Sequence, residues 1–307
     1  MSVISNTIIN IDVEHQNQRI DNFLFKQLKG VPKSHIYRII RTGQVRVNKK
    51  RVKPDYKLKF NDQIRIPPLR LTPKIIAYPK PELIRLLQSR ILYEDDNLLI
   101  INKPAGIATH GGSGINFGVI EVLRELYPHI ELVHRLDRGT SGTMLLAKKR
   151  STLKELHTLL RDNKIKKTYL ALLKGFWKGG KQIVEMPLLK NILKSGERMV
   201  CVSSKGRAAI TEFHPKQKFS DATLVEVILH TGRTHQIRVH AAYIGHPVAG
   251  DEKYGDKEFN KIMRQKGLKR LFLHAYEIKF HLLSYSRPIN IKAKLDKDLL
   301  EFLNALQ

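Results

Sequence analysis

His134-Arg135-Leu136-Asp137-Arg138-Gly139-Thr140-Ser141-Gly142 runs without a break into the apolar Thr143-Met144-Leu145-Leu146-Ala147. The first part sets one carboxylate between two arginines and follows it with a turn of small residues. The second part reads as a short strand, which puts Asp137 at a strand end rather than on an open surface. An aspartate beside arginine is ordinarily a surface ion pair worth under about 1 kcal/mol. The strand that follows raises Asp137 above that reading, but only modestly. A second cluster, Thr231-Gly232-Arg233-Thr234-His235-Gln236-Ile237-Arg238-Val239-His240, joins a glycine turn to a helix start carrying two arginines. Helix N-termini favour anions, so a carboxylate or a phosphate suits that place.

Around these clusters strands and helices alternate from Ile91 onward. Leu98 to Ile101 is an apolar strand ended by Pro104, and Val119, Val122, Leu123 and Leu126 mark a helix. Leu153, Leu156, Leu159 and Leu160 recur at helical spacing. Strands follow at Tyr169–Leu173 and Leu224–Leu229. Thr234 is then expected to cap a helix through Ile237, Ala241 and Ile244, stopped by Gly245 and Pro247. Residues 67 to 90 carry Pro67, Pro68, Pro73, Pro79 and Pro81, a density that reads as a semi-extended linker over 71–90. Before it, residues 19–70 read as a small module. Ile20, Phe23, Leu24 and Leu28 mark one helix. Ser34 is placed to cap a second, whose inner face carries Ile36, Ile39 and Ile40. Val45 and Val47 then alternate in a strand, Asn48-Lys49-Lys50 turns, and Ile64 and Ile66 alternate in another strand. Residues 1–18 are left as an N-terminal extension, and 91–307 form the main domain. The class is α+β, with a mixed, mostly antiparallel sheet.

Composition narrows the partners. The chain has 55 Lys and Arg against 28 Asp and Glu in 307 residues, a net charge of +27. A genome poor in G and C inflates lysine everywhere, but drift would spread the excess evenly. Arg19 to Arg70 holds 15 basic residues against 3 acids, so +12 of the +27 lies in a small fraction of the chain. That concentration points to a polyanion. A membrane surface would call for an amphipathic basic helix, whereas these basic residues interleave with strand and turn signals. No apolar run is long enough to span a bilayer, and the opening residues lack the pattern of a secretory signal. A single cysteine, Cys201, excludes an intrachain disulfide and a cysteine-rich zinc site. A cytoplasmic location and a monomer are expected.

Gly175-Phe176-Trp177-Lys178-Gly179-Gly180-Lys181 fits the first seven places of a phosphate-binding loop. The eighth is Gln182, where magnesium binding asks for a hydroxyl, so a surface hairpin turn is the better reading. No dinucleotide fingerprint and no HExxH motif occurs. His235 and His240 are five apart, which puts them on different faces of a helix.

Taken together, HRLDRGTSG and TGRTHQIRVH resemble the hallmarks of the RluA family of pseudouridine synthases. Lys167-Thr168-Tyr169-Leu170-Ala171 is similar to the motif lying between them, and Gly250-Asp251 with Tyr254-Gly255 to a later one. Further stretches are His110–Gly114, Phe117–Glu121, Leu188–Ile192, Ser195–Arg198 and Leu271–Ala275. They bring the chain nearest the branch that acts on large-subunit ribosomal RNA. Gly43 to Val52 resembles the S4 RNA-binding domain. The resemblance covers nearly the whole chain. It implies that uridine in large-subunit (23S) ribosomal RNA, before full assembly, is isomerised to pseudouridine, with Asp137 as nucleophile. Tyr169 would stack on the target base, and Arg238 would pair with the aspartate. Arg135, Arg233 and His235 would contact RNA near the flipped nucleotide, and Arg46, Lys49, Lys50 and Arg51 would grip it from the S4-like module. The reaction neither adds nor removes atoms, so no cofactor and no metal is expected. Gly139 departs from the larger, often acidic residue common at that place, which bears on the stiffness of the loop. A non-catalytic RNA-binding or ribosome-assembly protein would need only the basic module. An S4-linked methyltransferase would need a glycine-rich cofactor loop, and none is convincing.

Overall fold

The computed structural model describes residues 3–4, 7–28, 30–70, 78–112, 117–192 and 198–306. The chain divides into two compact units, Met1–Tyr78 and Pro79–Gln307. The stretch 71–77 with Pro73, the tip of the His110–Gly114 stretch and most of Ser195–Arg198 lie outside the described residues.

The small unit contains β1 (Val3–Ile4), β2 (Thr7–Asn10), α1 (Ile20–Gln27), α2 (Lys33–Arg41), β3 (Arg46–Val47), β4 (Gln63–Ile66) and β5 (Leu69–Arg70). Strands β2, β4 and β3 form one antiparallel sheet, and β1 pairs with β5. The expected inward residues Ile20, Phe23, Leu24, Ile36, Ile39, Ile40, Val45, Val47, Ile64 and Ile66 fill one core. Asn48 and Lys49 both have positive φ, and Val47 and Lys50 exchange backbone hydrogen bonds of 3.0 and 2.9 Å around them. This is the two-residue turn whose twist suits a hairpin.

Two readings need correction here. Ser34 lies inside α2, and Pro32 stands at its N-cap, because the fixed proline φ starts the helix without a side-chain cap. The extension 1–18 also contributes structure: β2 pairs along β4, from Thr7↔Ile66 to Asn10↔Gln63. Four residues with only alternate burial gave little local signal.

The large unit begins with α3 (Pro81–Gln88), inside the segment expected to be an extended linker. Pro81 occupies the first turn of this helix, where a missing N–H costs nothing. The remaining elements are β6 (Ile91–Glu94), β7 (Leu98–Lys103), α4 (Val119–Leu123), β8 (Glu131–Leu132), β9 (Ser141–Ala147), α5 (Arg150–Arg161), β10 (Lys166–Lys174) and β11 (Gln182–Glu185). They continue with β12 (Leu188–Ile192), β13 (Arg198–Val202), β14 (Ile210–Lys218), β15 (Ala222–Leu229), α6 (Gln236–Tyr243), α7 (Lys257–Gln265), β16 (Leu273–Phe280), β17 (Ile289–Lys292) and α8 (Lys297–Ala305).

A ten-stranded sheet runs β11-β14-β15-β10-β16-β9-β7-β6, with β17 on β16 and β8 on β9. Every pairing in it is antiparallel except β16 with β9. Strands β7 and β9 read as unbroken apolar runs because both faces are covered. Leu99, Ile101, Met144 and Leu146 join one core, and Leu98, Ile100, Leu145 and Ala147 join another. The glycine-rich stretch Gly175–Lys181 links β10 to β11, but β14 and β15 lie between those strands, so it is a crossing loop and not a hairpin turn. It packs inward through Trp177, whose indole N–H donates to the Gly180 carbonyl at 3.0 Å.

Candidate active site

Asp137 sits in the loop that enters β9, and that loop is tied to residues 103–109 at several points. Thr109 Oγ1 donates to the Leu136 carbonyl at 2.7 Å and accepts the Leu136 N–H at 3.2 Å. Gly106 N–H donates to the Arg138 carbonyl, and Arg138 Nε returns a bond to the Gly106 carbonyl, both at 2.8 Å. Beneath them Lys103, fully buried, donates Nζ to the carbonyls of Pro104 and Ile107 at 2.9 and 2.8 Å. Burial lowers its pKa to about 7, with nearby Asp137 acting in the opposite sense. The carboxylate thus stands on a braced loop with its side chain 29% exposed.

At the turn before α6, Thr234 does not cap the helix, and Gln236 braces the turn. Its Oε1 accepts the Thr231 hydroxyl and the Arg233 N–H at 2.8 and 2.9 Å. Its Nε2 donates to the Ile210 carbonyl and Thr211 Oγ1. The N-cap itself is His235, in the left-handed region at φ 54°, with no side-chain cap. Non-glycine residues in that conformation cluster at functional sites.

One turn on, Arg238 reaches both acids of the site. Its Nε and Nη2 bind the two oxygens of Asp251, each at 2.7 Å, while Nη1 donates to Asp137 Oδ2 at 3.3 Å. The arginine's closest partner is therefore Asp251, whose side chain is 1% exposed. Asp251 also accepts the N–H groups of Lys253 and Tyr254. Burial pushes the Asp251 pKa up, but the hydrogen bond and charge of Arg238 outweigh it and leave the group below its ordinary value.

Tyr169 lies on β10 and lines a cavity of about 920 Å³ with Asp137, His235, Lys167, Arg135 and Arg233. Its ring is largely buried. Burial first, and the Asp137 charge second, push its phenol well above the ordinary tyrosine value. Arg135 and Arg233 are exposed at the cavity, Arg233 held through Nε to the Ala208 carbonyl at 3.0 Å. The structure thus brings together Asp137, Tyr169, Arg238, Arg135, Arg233 and His235. In the small unit Lys49, Lys50 and Arg51 are exposed. Arg46 is half-buried and bonded to the carbonyls of Gly43 and Lys49.

Sequence alone assigned no role to Asp251, Tyr254 or Lys103. A charge at the end of an unbroken apolar strand was the available signal for Lys103. For Asp251 the one signal was its place in the later Gly250-Asp251 and Tyr254-Gly255 motif.

The RNA pseudouridylate synthase family pattern matches residues 97–243, and the S4 domain pattern matches residues 18–64. The protein named ribosomal large subunit pseudouridine synthase C of Pasteurella multocida is 52% identical, over 98% of this chain and 94% of its own. The Escherichia coli protein of that name is also 52% identical, over 98% of this chain and 96% of its own. The chain belongs to the RNA pseudouridylate synthase family. It is an RNA pseudouridine synthase with an S4 domain. The solved structure of human RNA pseudouridylate synthase domain containing 4 superposes with a TM-score of 0.61 at 27% identity, covering 73% of this chain and 95% of that one. That of human RNA pseudouridylate synthase domain containing 1 gives 0.57 at 22% identity, over 75% and 97%, which speaks for the fold alone.

Proposed function

We propose that this synthase isomerises specific uridines of large-subunit ribosomal RNA, with Asp137 as the nucleophile. The observation that carries the reading is the division of the Asp137 carboxylate. Oδ2 is held by Arg238, while Oδ1 has no hydrogen-bond partner among the described residues and the side chain borders the cavity. The Arg238 guanidinium favours the charged carboxylate against the loss of charge that burial beside a base would bring.

The isomerisation breaks the glycosidic C–N bond, turns the base and joins C5 to the sugar. C5 gives up its proton and N1 gains one. The target must leave its stack to reach Oδ1, which favours RNA that is not yet fully assembled. Tyr169 supplies an apolar face for the swung-out base, and its raised pKa keeps the phenol neutral, so stacking suits it better than proton abstraction. The exposed cations Arg135 and Arg233 suit the flanking phosphates, and Lys49, Lys50 and Arg51 of the small unit suit RNA phosphates as well. The relatives named above support the choice of ribosomal RNA.

Release of tritium from RNA labelled at C5 of uridine tests the assignment. Asp137→Asn is expected to release none while RNA affinity stays within a few fold. Turnover near the wild-type rate, without deamidation, would remove Asp137 from the nucleophile's role.

A further inference from the structure

His235 borders the same cavity as Asp137, and its surroundings determine which ring nitrogen carries the proton. Tyr254 Oη accepts the N–H of Val200 at 3.0 Å. A phenol has one proton to give, and among the described residues the other neighbour in range is His235 Nδ1 at 2.8 Å. With Tyr254 donating to Nδ1, that nitrogen is the acceptor and the imidazole proton stands on Nε2. Nε2 lies 3.7 Å from Asp137 Oδ2, the oxygen that Arg238 also addresses. The Arg238 guanidinium covers the Tyr254 ring at 5.0 Å, and the His235 and Tyr254 rings meet edge to face at 5.4 Å. His235 holds this position at the helix start with a left-handed φ of 54°.

We infer that His235 is a positioning residue: its Nε2–H, set by Tyr254, works with Arg238 to fix Oδ2 and leaves Oδ1 as the attacking oxygen of Asp137. At 3.7 Å the contact is longer than a hydrogen bond, and a shift of under an ångström on substrate binding would close it. Burial lowers the pKa of His235, against the pull of Asp137, which favours the ring with a single proton. The groups facing the imidazole are Asp137, Arg238, Lys253, Asp251 and Tyr254.

The inference rests on Asp137 as nucleophile, and its test separates the two. In full-length protein labelled with ¹⁵N-histidine, the ring resonances that disappear in His235→Gln are expected to report the Nε2–H tautomer. Tyr254→Phe should move them toward a tautomer mixture. In single turnover at saturating RNA, His235→Ala is expected to slow the reaction by about 10- to 100-fold, as misaligning a reacting group does, with binding within a few fold. His235→Gln, which keeps a donor at a similar reach, should recover most of that loss. An Nδ1–H tautomer in the wild type would overturn the inference. So would a His235→Ala protein that binds RNA weakly yet reacts at the wild-type rate once saturated. Should His235→Ala fail to fold, the Tyr254→Phe spectra decide. An active Asp137→Asn protein would instead defeat the nucleophile assignment. An inert Asp137→Asn beside a fully active His235→Ala would defeat this inference alone.

Discussion

Replacing Asp251 by alanine should cost the large unit more stability than any other single change at the site. Its side chain is 1% exposed and that of Arg238 11%, with both bonds of the pair at 2.7 Å. Removing one partner of such a pair leaves a buried charge uncompensated, at about 3–5 kcal/mol. The N–H groups of Lys253 and Tyr254 lose their acceptor as well, at about 1 kcal/mol each. For a unit of this size each kcal/mol moves the melting temperature by about 2–4 °C, so a fall of about 10–28 °C is expected in calorimetry. Asp251→Asn keeps an oxygen for the backbone donors and should lose roughly half as much. The folded-state pKa of Asp251 is depressed, so its stabilisation is complete above the unfolded value of about 3.9 and is lost as pH falls through the folded value. The gap between wild type and Asp251→Asn should therefore be flat from about pH 5 to 8 and close below about pH 4. Arg238→Met with Asp251→Leu should destabilise less than the two single changes added together. Additive losses, or a wild-type melting temperature for Asp251→Ala, would refute the buried-pair reasoning.

Tyr169→Phe should keep tritium release within about tenfold of wild type, and Tyr169→Leu should lose far more, since a neutral phenol offers a face and not a base. An inert Phe variant would make the hydroxyl essential. Gly142 has φ 111°, and a Cβ there would lie 2.2 Å from the Ala275 carbonyl, whereas one on Gly139 would meet Leu271 at 3.4 Å. Gly142→Ala is thus expected to give little soluble protein, while Gly139→Ala should raise stability by about 0.4–1 kcal/mol in urea titration. Deleting residues 1–78 should leave a folded synthase that modifies RNA slowly at low RNA concentration. Its binding should be less salt-sensitive, the log–log slope falling by roughly 0.7–0.9 for each phosphate that the S4 domain would otherwise neutralise. An unchanged slope would count against the S4 domain as the electrostatic grip.

Much of this molecule could be read locally, and the exceptions share a cause. Leu98–Ile101 and Thr143–Ala147 announced themselves because a strand covered on both faces needs no alternation. Asp137 stood out by its place at the mouth of such a strand. The pairing of Arg238 with Asp251 did not, because Gly250-Asp251-Glu252 has the look of a polar turn until the fold brings it under α6. Proline count suggested a linker where Pro81 instead opens a helix, a distinction that depends on its position in the first turn. Thr234 satisfied the usual preference for a cap. The helix instead starts at His235 with no side-chain cap, and Gln236 braces the turn through Thr231 and the β14 backbone, neither visible from the residues beside it. Thr7–Asn10 became a strand only because β4 offered an edge.

Asp251 holds Arg238 with its two oxygens and, through the Tyr254 N–H, also fixes the ring that orients His235. A charge swap between positions 238 and 251 would restore the ion pair, yet an arginine at 251 cannot accept the backbone donors that seat Tyr254. The two positions are therefore not exchangeable by compensation. A change of charge at 251 has to be met in the turn carrying residue 254 as well as at 238. Changes at Gly139 or at the exposed cations around the cavity break no comparable buried pair.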